Sequence, residues 1–232
     1  MIKVGCCGFP VRRELYFKEF SLVEVQKTFY DIGNPRTYEK WRKEAPENFE
    51  FTLKAWQVIT HPVTSPTYRR MKSKWGNPEN YGFFKPTSEV RTAWDKTRQI
   101  AEILGASIVV FQTPPSFHQT PENLENIRNF FSFLSGENLR FALELRGRWE
   151  REVVHDVIEE FGLIKVIDPF KEKPLEGEIN YFRLHGRGGY RYKYCKEELR
   201  VLRSRCKGRI NYCLFNNTFM WEDSLEFKKM IE

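Results

Sequence analysis

The chain has 232 residues, 41% of them hydrophobic and 16% aromatic, which is enough for a substantial core in one or two domains and excludes disorder over most of its length. No apolar run approaches the ~18 residues that a membrane helix needs, and strand-like sequence from Ile2 onward leaves no signal peptide expected. Thirty-eight Lys and Arg against 31 Asp and Glu give a net charge of +7, which favours an anionic partner, either nucleic acid or a phosphorylated small molecule, although a well-solvated surface accounts for so modest an excess equally well.

Short runs rich in apolar, β-branched and aromatic residues predict strands over 2–8, 23–30, 49–56, 107–112, 140–146, 164–168, 180–185 and 210–216. Helical periodicity predicts helices over 35–45, 88–104, 121–134, 149–161, 196–205 and 222–231. Thr120-Pro121-Glu122 supplies an N-cap, a proline at the first helical position and an acidic first turn. Gly105, Gly136 and Gly162 follow helix ends. The segments after the first and sixth strands are too short or too mixed to assign. Cys6 and Cys7 fall in the first strand and read as small buried residues. The five cysteines form no C-x-x-C pair and no zinc spacing, so a reducing cytoplasm is expected.

Eight strands alternating with helices imply parallel crossovers. At about 29 residues per unit the chain matches a compact single-domain (β/α)8 TIM barrel over residues 1–232. Its long connection, 57–87, reads as a loop or lid insertion after the third strand. An open doubly wound sheet is the alternative, but Gly5-Cys6-Cys7-Gly8-Phe9 is not its glycine fingerprint.

Period-two alternation puts one face of each strand on the helices and the other in the barrel lumen. The polar face carries Glu24, Lys54, Gln112, Glu144, Arg146, Asp168, Arg183, His185 and Asn216, most of them in the last positions of their strands. Barrel enzymes place their chemistry at that carboxyl-end rim. A self-compensating ion network plugging the mouth is the bland alternative.

At these residues the sequence resembles the domain-of-unknown-function 72 family, also called YecE-like, whose members are TIM barrels. The matching stretches are Gly5-Cys6-Cys7-Gly8, Thr28-Phe29-Tyr30, Trp41, Phe49-x-Phe51-x-x-Lys54, Thr60-His61 and Phe111-Gln112-Thr113-Pro114-Pro115-Ser116-Phe117. Glu144-Leu145-Arg146 with Trp149, Arg183-Leu184-His185-Gly186 and Phe215-Asn216-Asn217 complete the series. Gln26 stands where the family usually has Asn, and Phe9 where it usually has Trp. The resemblance implies the barrel; it assigns no reaction.

The constellation itself suggests more. Lys54, Arg146 and Arg183 suit an oxyanion, with Gln112, Asn216, Glu24 and Asp168 completing the binding set. Glu144 is the expected acid–base group, with His185 second. His61 opens the long connection, where it could swing into a site. The glycines of the 185–190 turn would let backbone amides approach an anion, or would simply meet the needs of a turn. A divalent metal on Glu144, Asp168 and His185 is possible but disfavoured by the nearby cations, and the sequence leaves the cofactor unknown. The expected function is therefore a hydrolase- or phosphoesterase-like enzyme for an anionic substrate. The alternative is a nucleic-acid-binding barrel, similar in architecture to type IV apurinic endonucleases. It would use the basic-aromatic segments Tyr68-Arg69-Arg70, Lys72, Lys74-Trp75, Tyr81, Phe83-Phe84-Lys85 and 187–194.

Overall fold

Eight strands form in the computed structural model, which describes residues 1–72, 75–174 and 178–232. They are β1 (Ile2–Cys7), β2 (Leu22–Val25), β3 (Glu50–Lys54), β4 (Ile108–Gln112), β5 (Arg140–Glu144), β6 (Ile164–Ile167), β7 (Ile179–Leu184) and β8 (Ile210–Phe215). Strand order runs β1 to β8 in sequence and closes as a parallel α/β barrel. Nine helices intervene or follow among the described residues: α1 (Arg13–Glu19), α2 (Lys27–Tyr30), α3 (Pro35–Glu44), α4 (Gln57–Thr60), α5 (Ser88–Leu104), α6 (Pro121–Phe133), α7 (Arg151–Glu160), α8 (Lys196–Arg205) and α9 (Met220–Ile231). Two differences from the sequence reading stand out. The second strand stops at Val25, and Thr28-Phe29-Tyr30 belong to the helical turn α2. A seven-residue helix, α1, follows β1 in a segment whose pattern was too mixed to assign.

The described residues divide into two compact units, Met1–Val25, Lys43–Thr52 and Ile164–Glu232 in the first, Gln26–Arg42 and Leu53–Leu163 in the second. In the first unit β1 pairs with β2 and β8, and β7 pairs with β6 and β8, all in parallel register. The Tyr16 hydroxyl accepts from the Cys6 amide and donates to the Leu22 carbonyl, 2.8 Å each. A Cβ on Gly5 would overlap that same Leu22 carbonyl, so only glycine fits there. Phe9, Phe17, Phe20, Phe49 and Trp221 pack around Tyr16 and one another in edge and tilted contacts.

In the second unit β4 pairs with β5, Gln112 standing opposite Glu144. α5 and α6 begin as their sequences predict: the hydroxyls of Thr87 and Thr120 accept from the amides of Val90 and Asn123, and Pro121 occupies the first turn. The core here is a ring cluster of Phe84, Trp94, Phe111, Phe130, Phe131 and Phe141. The long connection holds structure of its own: α4, then two short 3₁₀ turns at Pro66–Arg70 and Pro78–Asn80.

Candidate functional site

Three groups of polar side chains lie at strand ends, one in the second unit and two in the first. In the second unit Lys54 closes β3 and Glu144 closes β5, and both are buried, at 4% and 8% exposure. Neither lies on the exterior. Arg146 follows β5, and its Nε donates to Glu144 Oε1 at 2.7 Å. Lys54 Nζ sits 3.3 Å from the centroid of the Phe29 ring, close enough for a cation–π contact. Phe29 is there because α2, not an extended strand, follows Val25. The Thr28 hydroxyl ties that turn to β3 by donating to the Lys54 carbonyl at 2.6 Å. One sequence signal pointed to this turn: Lys27 would sit on the apolar face of a strand continued past Val25.

His61 adjoins this group and is fixed rather than free to swing. All four residues of α4 are buried, and the His61 amide donates to the Gln57 carbonyl at 2.8 Å. Tyr68 Oη donates to the His61 carbonyl at 2.8 Å. The amides of Gly82, Phe83 and Phe84 donate to the carbonyls of Val58, Thr60 and Ile59, so the returning chain clamps α4. Phe83 and Phe84 adopt φ of 54° and 55°, a left-handed conformation that non-glycine residues rarely hold unless their surroundings enforce it. The imidazole packs edge-on against Phe29, and its Nδ1 lies 2.8 Å from the Thr60 hydroxyl. Burial pushes the His61 pKa down to about 3, helped by the positive charges of Lys54 and Arg146 and opposed by Glu144. The ring is therefore neutral at ordinary pH, in a positive field.

The basic-aromatic segment beyond His61 turns its rings inward. Tyr68 stacks on Tyr81, Arg70 covers the Tyr30 ring at 4.6 Å, and Lys96 covers Trp75 at 3.9 Å. Lys74 lies outside the described residues.

In the first unit the dominant polar feature is a fully buried pair. Arg183 Nη2 lies 3.0 Å from Glu24 Oε1, at 1% and 0% side-chain exposure. Tyr181 Oη donates to Glu24 Oε2 at 2.8 Å, which leaves the Thr52 hydroxyl, also at 2.8 Å, to donate to Tyr181. The third group joins the ends of β6, β7 and β8. Asp168 accepts from the Phe170 amide at 3.0 Å, and burial raises its pKa against the opposing pull of that amide, Lys171 and His185. Asn216 Nδ2 lies 3.1 Å from His185 Nδ1. The glycine turn after β7 is partly occupied, since the Gly186 amide donates to Tyr194 Oη at 2.9 Å. Cys6 and Cys7 are buried, and burial pushes the Cys6 thiol up to about 12, so neither is poised as a nucleophile.

Among the described residues no three His, Cys, Asp or Glu side chains gather as a metal site, and no helix is long and apolar enough to cross a membrane.

Comparison with known proteins gives a consistent picture. The model of the family described as proteins of unknown function DUF72 matches residues 10–231. The UPF0759 protein YunF of Bacillus subtilis is 26% identical over 257 aligned positions, covering 94% of this chain and 85% of that protein. Among solved structures, a DUF72 family protein from Enterococcus faecalis superposes with TM-score 0.74 at 20% identity, covering 100% of this chain and 95% of that one. A DUF72 family protein from Thermotoga maritima gives 0.72 at 21%, covering 100% and 99%. A xylose isomerase domain containing protein from Salmonella typhimurium gives 0.59 at 14%, covering 99% and 94%, a likeness of fold.

Proposed function

The chain belongs to the DUF72 family, and from that premise we propose that it is an enzyme, hydrolase- or phosphoesterase-like, acting on a small anionic or phosphorylated substrate held by Lys54 and Arg146. The observation that carries this reading is geometric: Lys54 and Glu144 are buried at the ends of β3 and β5, and Arg146 Nε lies 2.7 Å from Glu144 Oε1. Two cations and one carboxylate at the ends of β3 and β5 give this group a positive field, and a field of that sign favours an oxyanion. In this reading Glu144 transfers the proton, neutral His61 offers a hydrogen bond without becoming charged, and Gln112, in register with Glu144, orients the substrate. Arg183 and Glu24 hold each other, so their part is to position the end of β7. His185 and Asn216, 3.1 Å apart at the ends of β7 and β8, form a separate polar group in the first unit. The nucleic-acid alternative has less support, because Tyr68, Tyr81 and Trp75, the rings it would need for base stacking, are engaged in internal contacts.

A thermal-shift screen of phosphorylated and carboxylated metabolites against their neutral counterparts tests the reading, since a ligand bound to the native state raises apparent stability. The wild-type protein should respond to anionic compounds only. Lys54→Met should lose the response, and Glu144→Gln should keep the binding while abolishing turnover of the compound identified. An equal response to neutral counterparts, or an unchanged response in Lys54→Met, would sink it.

A further inference from the structure

The first unit contains a second reactive constellation, away from the strand-end groups. Cys206 caps the carboxyl end of α8 and is partly exposed, while Cys213 lies within β8 and is fully buried. Their Sγ atoms are 3.6 Å apart, joined as a thiol–thiol hydrogen bond. Their chemistries differ. The hydrogen bond from Cys213 lowers the Cys206 pKa, burial opposes that, and the amino-terminal charge adds to the lowering. Met1 is held nearby through its ammonium, which donates to the Arg209 carbonyl at 2.8 Å. Arg205 and Lys207 flank Cys206 in the chain. Burial drives the Cys213 thiol the other way, well above its ordinary value. A partly exposed thiol 3.6 Å from a buried second thiol is the arrangement in which oxidation stops at a disulfide.

We propose that Cys206 and Cys213 form a reversible thiol–disulfide site, with Cys206 attacking a small peroxide and Cys213 resolving the product. The Cys206 thiolate attacks one peroxide oxygen and the O–O bond breaks. The departing hydroxide takes up a proton as water, and Cys206 becomes a sulfenic acid. Cys213 then gives up its proton and attacks the Cys206 sulfur. The S–S bond forms, the S–O bond breaks, and the hydroxide leaves with that proton as a second water. The two sulfurs lose two electrons and the peroxide accepts them. Forming the bond brings the two sulfurs from 3.6 Å to the ~2.05 Å of a disulfide. A metal use of the same thiols is not favoured, because no third His, Cys, Asp or Glu joins them among the described residues. The buried position of Cys213 restricts the oxidant to small molecules that reach Cys206 first.

The test treats the reduced full-length protein with stoichiometric hydrogen peroxide, alkylates remaining thiols and maps them by mass spectrometry without reduction. The expected result is a mass loss of two hydrogens and a cross-linked peptide joining Cys206 to Cys213, both reversed by dithiothreitol. The exposed Cys195, whose hydrogen-bond partners among the described residues include no thiol, should remain alkylatable while Cys206 and Cys213 are lost to alkylation. In Cys213→Ala, dimedone should trap a sulfenic acid on Cys206, and in Cys206→Ser the disulfide should not form. The proposal is overturned if Cys206 remains fully alkylatable once the peroxide is consumed, or pairs with Cys195 instead. Because the wild-type mapping decides the matter alone, a poorly folded Cys213→Ala would not rescue it.

Discussion

Arg183 and Glu24 meet at 3.0 Å with neither side chain reaching solvent, so each neutralises a charge that the interior would otherwise not tolerate. Removing one partner strands the other. Glu24→Gln alone should cost about 3–5 kcal/mol, and Arg183→Met alone a similar amount. The double substitution should cost less than the sum, because both charges then leave together. Urea unfolding of the four proteins measures this; strictly additive losses would show that the pair is not coupled.

Tyr181 completes the Glu24 carboxylate through its hydroxyl, and its ring stacks on Tyr212 with centroids 5.4 Å apart. Tyr181→Phe keeps the stack and deletes the donor. A hydrogen bond to a charged acceptor is worth about 1.5–3 kcal/mol, and that loss should appear as a lower urea midpoint with an unchanged slope.

His61 should leave a signature in the pH dependence of stability. Its folded pKa is about 3, against 6.5 ordinarily, so between those values the unfolded chain holds a proton at His61 that the folded chain does not. Its contribution is thus fully present above about pH 6.5 and is lost as pH falls toward 3, at up to about 1.4 kcal/mol per pH unit. Asp168 and Asp223, both raised by burial, act in the opposite sense near the low end of that window. The difference between wild type and His61→Asn isolates the histidine: the variant should show the shallower slope in urea titrations between about pH 7 and about pH 5.

Gly147 lies against the Phe117 carbonyl so closely that any Cβ would overlap it. The same stretch is tied by Trp149 Nε1, which donates to that carbonyl at 2.7 Å. Gly147→Ala should therefore displace the segment carrying Arg146 and destabilise by roughly 1–3 kcal/mol or more. A circular-dichroism melt unchanged from wild type would contradict this.

The barrel was legible in the chain because alternation and turn chemistry report directly on strand placement. The terminal positions of Lys54, Gln112 and Glu144 were legible for the same reason. The exceptions have physical causes. Over 26–30 the residues alternate as plausibly in a strand as in one helical turn, and only the misplaced Lys27 argued for the turn. α1 is too short for helical periodicity to emerge. The fixing of His61 depends on hydrogen bonds returned from residues 82–84, and the approach of Cys206 to Cys213 depends on a helix folding back on its following strand. Neither has a local pattern to betray it.

The hydroxyl of Tyr16, lodged between the Cys6 amide and the Leu22 carbonyl, makes a phenol the surrogate rung of the first interstrand seam. Beside its own backbone pairing, that seam therefore draws part of its hold from one aromatic side chain on a seven-residue helix. Fraying of α1 should loosen the seam at Cys6 first, and amide exchange there would report the helix rather than the sheet.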